Sequence, residues 1–479
     1  SLPSSTGNIT RFPTPSYPSP ITNCEYTSMD YHSYFKGKKI TVMGLGLLGG
    51  VGDIRFLAEQ GADLIVTDLK SPEESKPSLE VLSAFPNIRY TLGTHELADF
   101  RDRDLIIKAP STPLDSPFIA EAKKHHIPVS MWAELFSRFA KDTGVPIIGV
   151  TGTRGKTTVT ELIGAIVRMA GIDTIVGGNV RNTAMLPNLE KITQNSVVVL
   201  ELDSWKLQAF GDAQISPNIA VFTTFLPDHM NYYKEDMAAY FKDKANIFVN
   251  QTEDDTLILG EQMVPFVTEY GYKNKIKART TVVGDREFPK KWTLKIPGAH
   301  NRYNASLAIA ATRAMGIDEE VIKEAVESFG GVPGRLEFLR EVNLPTGQAG
   351  GVKIYNDTTA TTPDATIAAL TALQNDGRPT SIILIMGGAD KGLDMSKLIA
   401  EIPNYCKKVI LLAGSGTERI KGELPEAQVF DALAPAVAEA VASATAGDVI
   451  VLSPAFASFG MFKNEYDRGD QFTALVQSL

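Results

Sequence analysis

The chain has 479 residues, more than one hydrophobic core serves, and its 43% hydrophobic and 22% charged content is that of an ordinary globular protein. A net charge of −9 and a pI near 5.4 argue against the basic face that a nucleic-acid partner requires. Two cysteines, Cys24 and Cys406, are too few for a disulfide framework, and no run approaches the roughly 18 apolar residues of a membrane span.

Residues 1–35 read as a polar leader rich in Ser, Pro and Thr, without the basic and apolar regions of a signal peptide. A cytoplasmic protein with no membrane association is expected. From Lys38 the pattern alternates between strand and helix: a strand over 39–44, a helix over 51–60 and a strand over 63–68 make a βαβ unit. The turn Gly44-Leu45-Gly46-Leu-Leu-Gly49, with Asp68 ending the next strand, has the form of a dinucleotide fingerprint with its ribose-binding acid. An NAD-dependent oxidoreductase is therefore one reading of this first domain, placed at 36–143. A cradle for another diphosphate is the other.

A second α/β pattern occupies 144–333. A short apolar strand at 146–150 leads through a glycine-rich loop into a helix whose apolar residues Val159, Leu162, Ile163, Ile166 and Ala170 share one face. Buried strands follow at 196–202 and 218–223, a helix at 236–248 and a mixed, charged stretch at 251–296. The run Gly330-Gly-Val-Pro-Gly334 reads as a hinge. In the last domain, 334–479, strands at 352–355, 381–386, 408–413 and 448–452 alternate with helices. The expected fold is α/β, with three successive α/β domains: a Rossmann-like N-terminal domain, a P-loop central domain and a Rossmann-like C-terminal domain.

Gly149-Val-Thr-Gly152-Thr153-Arg-Gly155-Lys156-Thr157-Thr158 lies between a strand and a helix, where a phosphate loop belongs. Glycines let N–H groups point at phosphate oxygens, the helix N-terminus adds partial positive charge, and Lys156 neutralises the β- and γ-oxygens. Thr157 can ligate Mg²⁺. Gly149 stands six positions before Gly155 rather than five, a small departure from the general pattern. Glu201 ends an apolar strand and should emerge at its carboxyl edge, as an oxygen donor for a hard cation. His229 follows the next strand, and Lys244 lies fifteen residues further on in a helix.

The loop resembles the Gly-Thr-x-Gly-Lys-Thr signature of the Mur ligase family, with Arg154 where that family has Asn. Glu201-Leu-Asp-Ser204-Trp-Lys-Leu207 is similar to the family's Glu-Leu-Ser-Ser-Phe-Gln-Leu, and Gly177-Gly178-Asn179 to its Gly-Gly-Asn segment. Further resemblances are Gly298-Ala-His300-Asn301-x-x-Asn304, Gly334-Arg335-x-Glu337 (Gly334 replacing His), Asn356-Asp357-Thr-Thr359-Ala-Thr361 (Thr359 replacing Lys), Gly387-Gly-x-x-Lys391 and Leu452-Ser-Pro-Ala-x-Ala-Ser458. Together they cover nearly the whole chain from about residue 38.

By resemblance, Gly152, Thr153, Gly155, Lys156, Thr157, Thr158, Asn301, Asn304, Arg335 and Asp357 bind ATP. Gly44, Leu45, Gly46, Asp68, Asn179 and His229 bind a UDP-sugar, with Asp68 on the uracil. Thr157, Glu201, His229 and Lys244, the last as a carbamate, hold two Mg²⁺ ions. Lys156, His229 and Lys244 form the catalytic set. Thr361, Lys391 and Ser458 hold the carboxylates of an incoming amino acid, although Glu465 stands where the family has Phe. The implied activity is ATP-dependent addition of D-glutamate to UDP-N-acetylmuramoyl-L-alanine in peptidoglycan precursor synthesis, by a cytoplasmic monomer. A family ligase adding a different amino acid is the alternative, raised by Thr359 and Glu465.

Overall fold

The computed structural model describes residues 30–479 apart from 47–49, 111, 114, 179–183, 344–350 and 375–379 and the side chain of Asn231. Three sheets follow one another along the chain. The first holds β1 (Lys39–Met43), β2 (Asp63–Asp68), β3 (Ile88–Leu92), β4 (Leu105–Ile107) and β5 (Val129–Ser130) in the order β3-β2-β1-β4-β5, all parallel. The second holds β6 (Ile147–Thr151), β7 (Asp173–Gly177), β8 (Ser196–Glu201), β9 (Ile219–Phe222), β10 (Thr256–Gly260) and β11 (Arg279–Val283) in the order β11-β10-β9-β6-β8-β7, again all parallel. The third runs β12-β13-β17-β14-β15-β16, from β12 (Glu337–Val342), β13 (Val352–Asn356), β14 (Ile382–Gly387), β15 (Cys406–Leu412), β16 (Gln428–Phe430) and β17 (Val449–Leu452). Only the edge strand β12 of this sheet is antiparallel to its neighbour.

Parallel strands need covered faces, so their sequences are apolar on both sides. In β14, Ile382, Leu384 and Met386 face one cluster of buried side chains while Ile383 and Ile385 face another. Strands β6, β8 and β9 are buried along their whole length. Two compact units result. The first gathers the described residues up to Lys156 with Ile166–Val283 and Leu307–Ile322, so the first two sheets share one continuous core. The second gathers Thr157–Ala165, Gly284–Ser306 and Lys323–Leu479 around the third sheet.

The end of the stretch read as leader takes part in the first unit. Tyr31–Phe35 form a short helix capped by the Asp30 carboxylate. Phe35 is fully buried, its ring 5.3 Å from that of Phe139. The aromatic side chains of that stretch explain the docking: each removes a large apolar area from water.

The strand orders decide where ligands can bind. A crevice opens where consecutive crossovers leave a strand on opposite sides, beyond the carboxyl ends. In the first sheet this is beyond β1 and β4, and in the second beyond β6 and its neighbours β8 and β9.

Candidate active site

Three segments leave adjacent strands of the second sheet. The glycine-rich loop follows β6, Glu201 ends β8, and the segment from Thr223 to His229 follows β9. Gly152 has φ +146°, and a Cβ there would lie 1.9 Å from Thr223 Oγ1, so only glycine lets the loop pass this close. Hydrogen bonds clasp the loop to the β9 segment: Thr153 N donates to Thr224 O (2.7 Å), Arg154 N to Thr224 Oγ1 (2.8 Å) and Thr223 Oγ1 to Arg154 O (2.6 Å). Gly155, at φ +84°, then turns the chain into the helix Lys156–Met169, whose first turn carries Thr157 and Thr158. Unsatisfied N–H groups and the positive end of the helix dipole therefore sit at the loop.

Two lysines converge on one oxygen. Lys156 Nζ donates to Gly152 O (3.0 Å) and Thr153 O (3.2 Å), while Lys244 Nζ, from the helix Met237–Ala245, donates to Gly152 O at 2.8 Å. Lys244 is 1% exposed, and burial, reinforced by the charge of Lys156, holds its amine well below the ordinary lysine range. Asp203, Asp228 and Glu201 oppose that shift, so all of these groups lie within electrostatic reach of one another. Glu201 is 2% exposed and its Oε2 has no hydrogen-bond partner among the described residues. A buried, unsatisfied carboxylate oxygen beside a phosphate loop suits a hard cation.

His229 adopts the left-handed conformation at φ +55°, which costs a non-glycine residue energy and marks a constrained site. Its ring packs 4.4 Å from Trp205, and burial keeps it below the usual histidine range, with Asp228 opposing and Lys244 and Lys156 adding to the effect. The structure thus brings Lys156, Glu201, His229 and Lys244 into one region of the first unit.

A cavity of about 360 Å³ opens at the crevice of the first sheet, lined by Gly44, Gly46, Asp68, Pro110, Trp132 and Lys206 among others. Asp68 accepts from Leu45 N (2.6 Å) and Lys70 N (2.9 Å), which ties the glycine turn to the end of β2. Lys206 is nearly buried and pairs with Asp203 at 2.5 Å. Burial pushes Asp203 up, but Lys206 prevails and holds it below the ordinary carboxylate range. Asn179 and Gly49 lie outside the described residues.

In the second unit the same logic recurs at β13, β17 and β14, three adjacent strands. Asp357 follows β13. Its carboxylate accepts from Leu336 N (3.0 Å) and Ser453 Oγ (2.8 Å), and burial pushes it up to about 7. Lys391, beyond β14, donates to Thr361 Oγ1 at 2.8 Å, and Ser458, beyond β17, is buried. Arg335 is exposed two residues before β12. Asn301 and Asn304 are buried on the helix Ala299–Ala314, where Asn301 Nδ2 donates to Pro297 O at 2.7 Å. Two of the departures from the family pattern touch each other: Thr359 donates through both N (3.0 Å) and Oγ1 (2.9 Å) to Gly334 O.

The Mur ligase MurD-like N-terminal domain matches residues 38–131, the Mur ligase middle domain 150–312 and the Mur ligase glutamate ligase domain 334–456. A UDP-N-acetylmuramoylalanine–D-glutamate ligase of Roseiflexus sp. (strain RS-1) is 37% identical over 478 residues, covering 92% of this chain and 99% of that one. The chain belongs to the Mur ligase family. A second relative of the same name, from Borreliella afzelii (strain PKo), is 33% identical over 93% of this chain and 98% of its own length. The fold matches a UDP-N-acetylmuramate-alanine ligase structure from Thermotoga maritima, with a TM-score of 0.56 at 21% identity over 92% of this chain and 99% of that one. Membership in the family sets aside the dehydrogenase reading of the first glycine turn.

Several buried polar residues of this Mur ligase went unassigned in the sequence. Asp53, on the helix Gly50–Glu59, accepts from Met185 N (2.8 Å) and Leu186 N (2.6 Å), and burial pushes it up to about 7. Lys108, beyond β4, lies 3.4 Å from Gln208 Oε1, and Gln208 in turn donates to Asp243 at 2.7 Å. Burial pushes Lys108 down to about 8. Both residues tie the first sheet to the second. The only sequence signal for either is a charged residue inside an apolar face.

Proposed function

We propose that the chain is an ADP-forming ligase that adds D-glutamate to UDP-N-acetylmuramoyl-L-alanine in peptidoglycan precursor synthesis. A carboxylate oxygen of the alanyl residue attacks the γ-phosphorus of ATP and ADP leaves, giving an acyl phosphate. The amine of D-glutamate attacks its carbonyl carbon, and the tetrahedral intermediate collapses to the amide and inorganic phosphate, with loss of the amine's proton. The observation that carries this reading is the convergence of Lys156 and Lys244 on Gly152 O, within electrostatic reach of Glu201 and His229.

In this reading the glycine-rich loop and Lys156 hold the β- and γ-phosphates, and Lys156 offsets charge that grows during phosphoryl transfer. Asn301 and Asn304 take the adenine, with Arg335 and Asp357 on the phosphate side. Thr157, Glu201, His229 and Lys244 would hold two Mg²⁺ ions, which would neutralise phosphate charge and polarise its oxygens. The depressed amine of Lys244 suits carbamylation: the neutral Nζ attacks CO₂, one proton is released, and the amine becomes a carbamate anion. Restoration of a Lys244→Ala variant by a short carboxylic acid supports this step; full activity without rescue contradicts it.

The cavity beyond β1 takes the UDP-sugar, with Gly44, Leu45 and Gly46 at the diphosphate, Asp68 at the uracil, and Asn179 and His229 toward the reacting end. Thr361, Lys391 and Ser458 take the carboxylates of D-glutamate. The domain borders fall near 36, 144 and 334, and the enzyme acts as a cytoplasmic monomer. A phosphate-release screen with ATP, Mg²⁺ and UDP-N-acetylmuramoyl-L-alanine against D- and L-amino acids tests the whole. D-Glutamate should give the highest rate; release with another amino acid alone would favour the alternative specificity that Thr359 and Glu465 raised.

A further inference from the structure

Arg468 has the largest fully buried side chain among the described residues, with 0% exposure. It lies in the first turn of the helix Glu465–Gln477. Its Nε donates to Thr358 Oγ1 (3.1 Å), Nη2 to Thr358 O (2.8 Å), and Nη1 and Nη2 reach Phe456 O at 3.4 and 3.5 Å. Every one of these acceptors is neutral. Thr358 Oγ1 in turn donates to Glu465 O at 2.8 Å, and Gly469 packs so closely that a Cβ there would lie 2.5 Å from Thr358 Cγ2.

Thr358 belongs to the segment after β13 that carries Thr361, and Phe456 to the segment after β17 that carries Ser458. One planar fork therefore spans two of the loops assigned to the amino-acid pocket. Burying a guanidinium costs several kcal/mol unless other charges or dipoles offset it. A neutral amide could bridge two carbonyls more cheaply, so the retained charge calls for a reason. Burial pushes Arg468 down to about 10 and Glu465 opposes this, so it stays protonated at neutral pH. Its charge reaches Lys391, as does the opposing charge of Glu465, in a pocket that must attract a dicarboxylate.

We propose that Arg468 is a positioning residue for the incoming amino acid, setting the spacing of the 358–361 and 456–458 segments and biasing the pocket toward two carboxylates. The inference rests on the D-glutamate reading above. The test measures steady-state phosphate release by the full chain as wild type, R468M, R468K and T358V, with D-glutamate and with D-glutamine, which lacks the second carboxylate. R468M should raise KM for D-glutamate tenfold or more while KM for ATP and for the nucleotide-sugar stay within twofold. T358V should shift the same constant in the same direction, and R468K should recover the preference for D-glutamate over D-glutamine. A D-glutamate KM within twofold of wild type in both R468M and T358V overturns the proposal. So does a parallel rise in all three KM values with a lowered Tm. Should R468M be insoluble or inactive, T358V and R468K decide by the same criteria. A wild type that turns over no D-glutamate rejects the underlying reading, whereas an active wild type with unaffected variants rejects this inference alone.

Discussion

Substituting alanine for Gly152 should disable the phosphate loop through sterics alone. The residue stands at φ +146°, and a Cβ there would meet Thr223 Oγ1 at 1.9 Å and Thr224 N at 2.9 Å. An L-residue held in such a conformation costs about 1–3 kcal/mol. Thr223 cannot retreat without giving up its 2.6 Å hydrogen bond to Arg154 O, worth about 1 kcal/mol more. A total of about 2–4 kcal/mol corresponds to a population of phosphate-ready loop reduced about 30- to 1,000-fold. Calorimetric titration with Mg·ADP reads that loss directly, and KM for ATP should follow it. Gly171→Ala is the control: at φ +74° with nothing within 4 Å it is strained but unobstructed, and its ADP affinity should stay within twofold of wild type. An unchanged ADP affinity in Gly152→Ala would refute the reasoning.

Glu201→Gln should lower phosphate release at least 100-fold and raise the Mg²⁺ concentration for half-maximal rate, because an amide keeps the shape and loses the anion that the unsatisfied Oε2 offers; a Mg²⁺ titration indistinguishable from wild type would contradict the cation assignment. Asp53 should make stability depend on pH. Its folded pKa is raised from 3.8 to about 7, so its contribution is fully present below 3.8 and is lost as pH rises through about 7, by at most about 4 kcal/mol. Asp53→Asn should therefore gain in Tm relative to wild type between pH 5 and 8, and a pH-independent difference would contradict the burial argument. Lys156→Met should lower phosphate release at least 1,000-fold, since it removes the ammonium held at the Gly152 and Thr153 carbonyls that offsets charge during phosphoryl transfer; a rate within tenfold of wild type would contradict that role.

What could be read in the sequence followed from locality. Strands buried on both faces, such as β6, β8 and β14, announce themselves as apolar runs, and the phosphate loop is contiguous in the chain. Strand β12 was missed because Glu337–Val342 is a half-exposed edge whose charged residues mask any alternation. Strand β5 spans two residues, too few for a pattern. Glu201 and Asp68, expected at strand ends, end β8 and β2. Asp53 and Lys108 were legible only as charges in apolar surroundings, because their partners lie 132 and 100 positions away. Nor could the contact between Thr359 and Gly334 be foreseen, in which the two donors of Thr359 use the Gly334 carbonyl.

The central claim is that the terminal phosphoryl group of ATP passes to a carboxylate oxygen of the nucleotide-sugar substrate. Substrate labelled with ¹⁸O in its alanyl carboxylate, turned over with D-glutamate and ATP, distinguishes this from direct hydrolysis. The account predicts one ¹⁸O atom in the inorganic phosphate for each amide formed. Phosphate free of label, with both carboxylate oxygens retained in unreacted substrate, would contradict it.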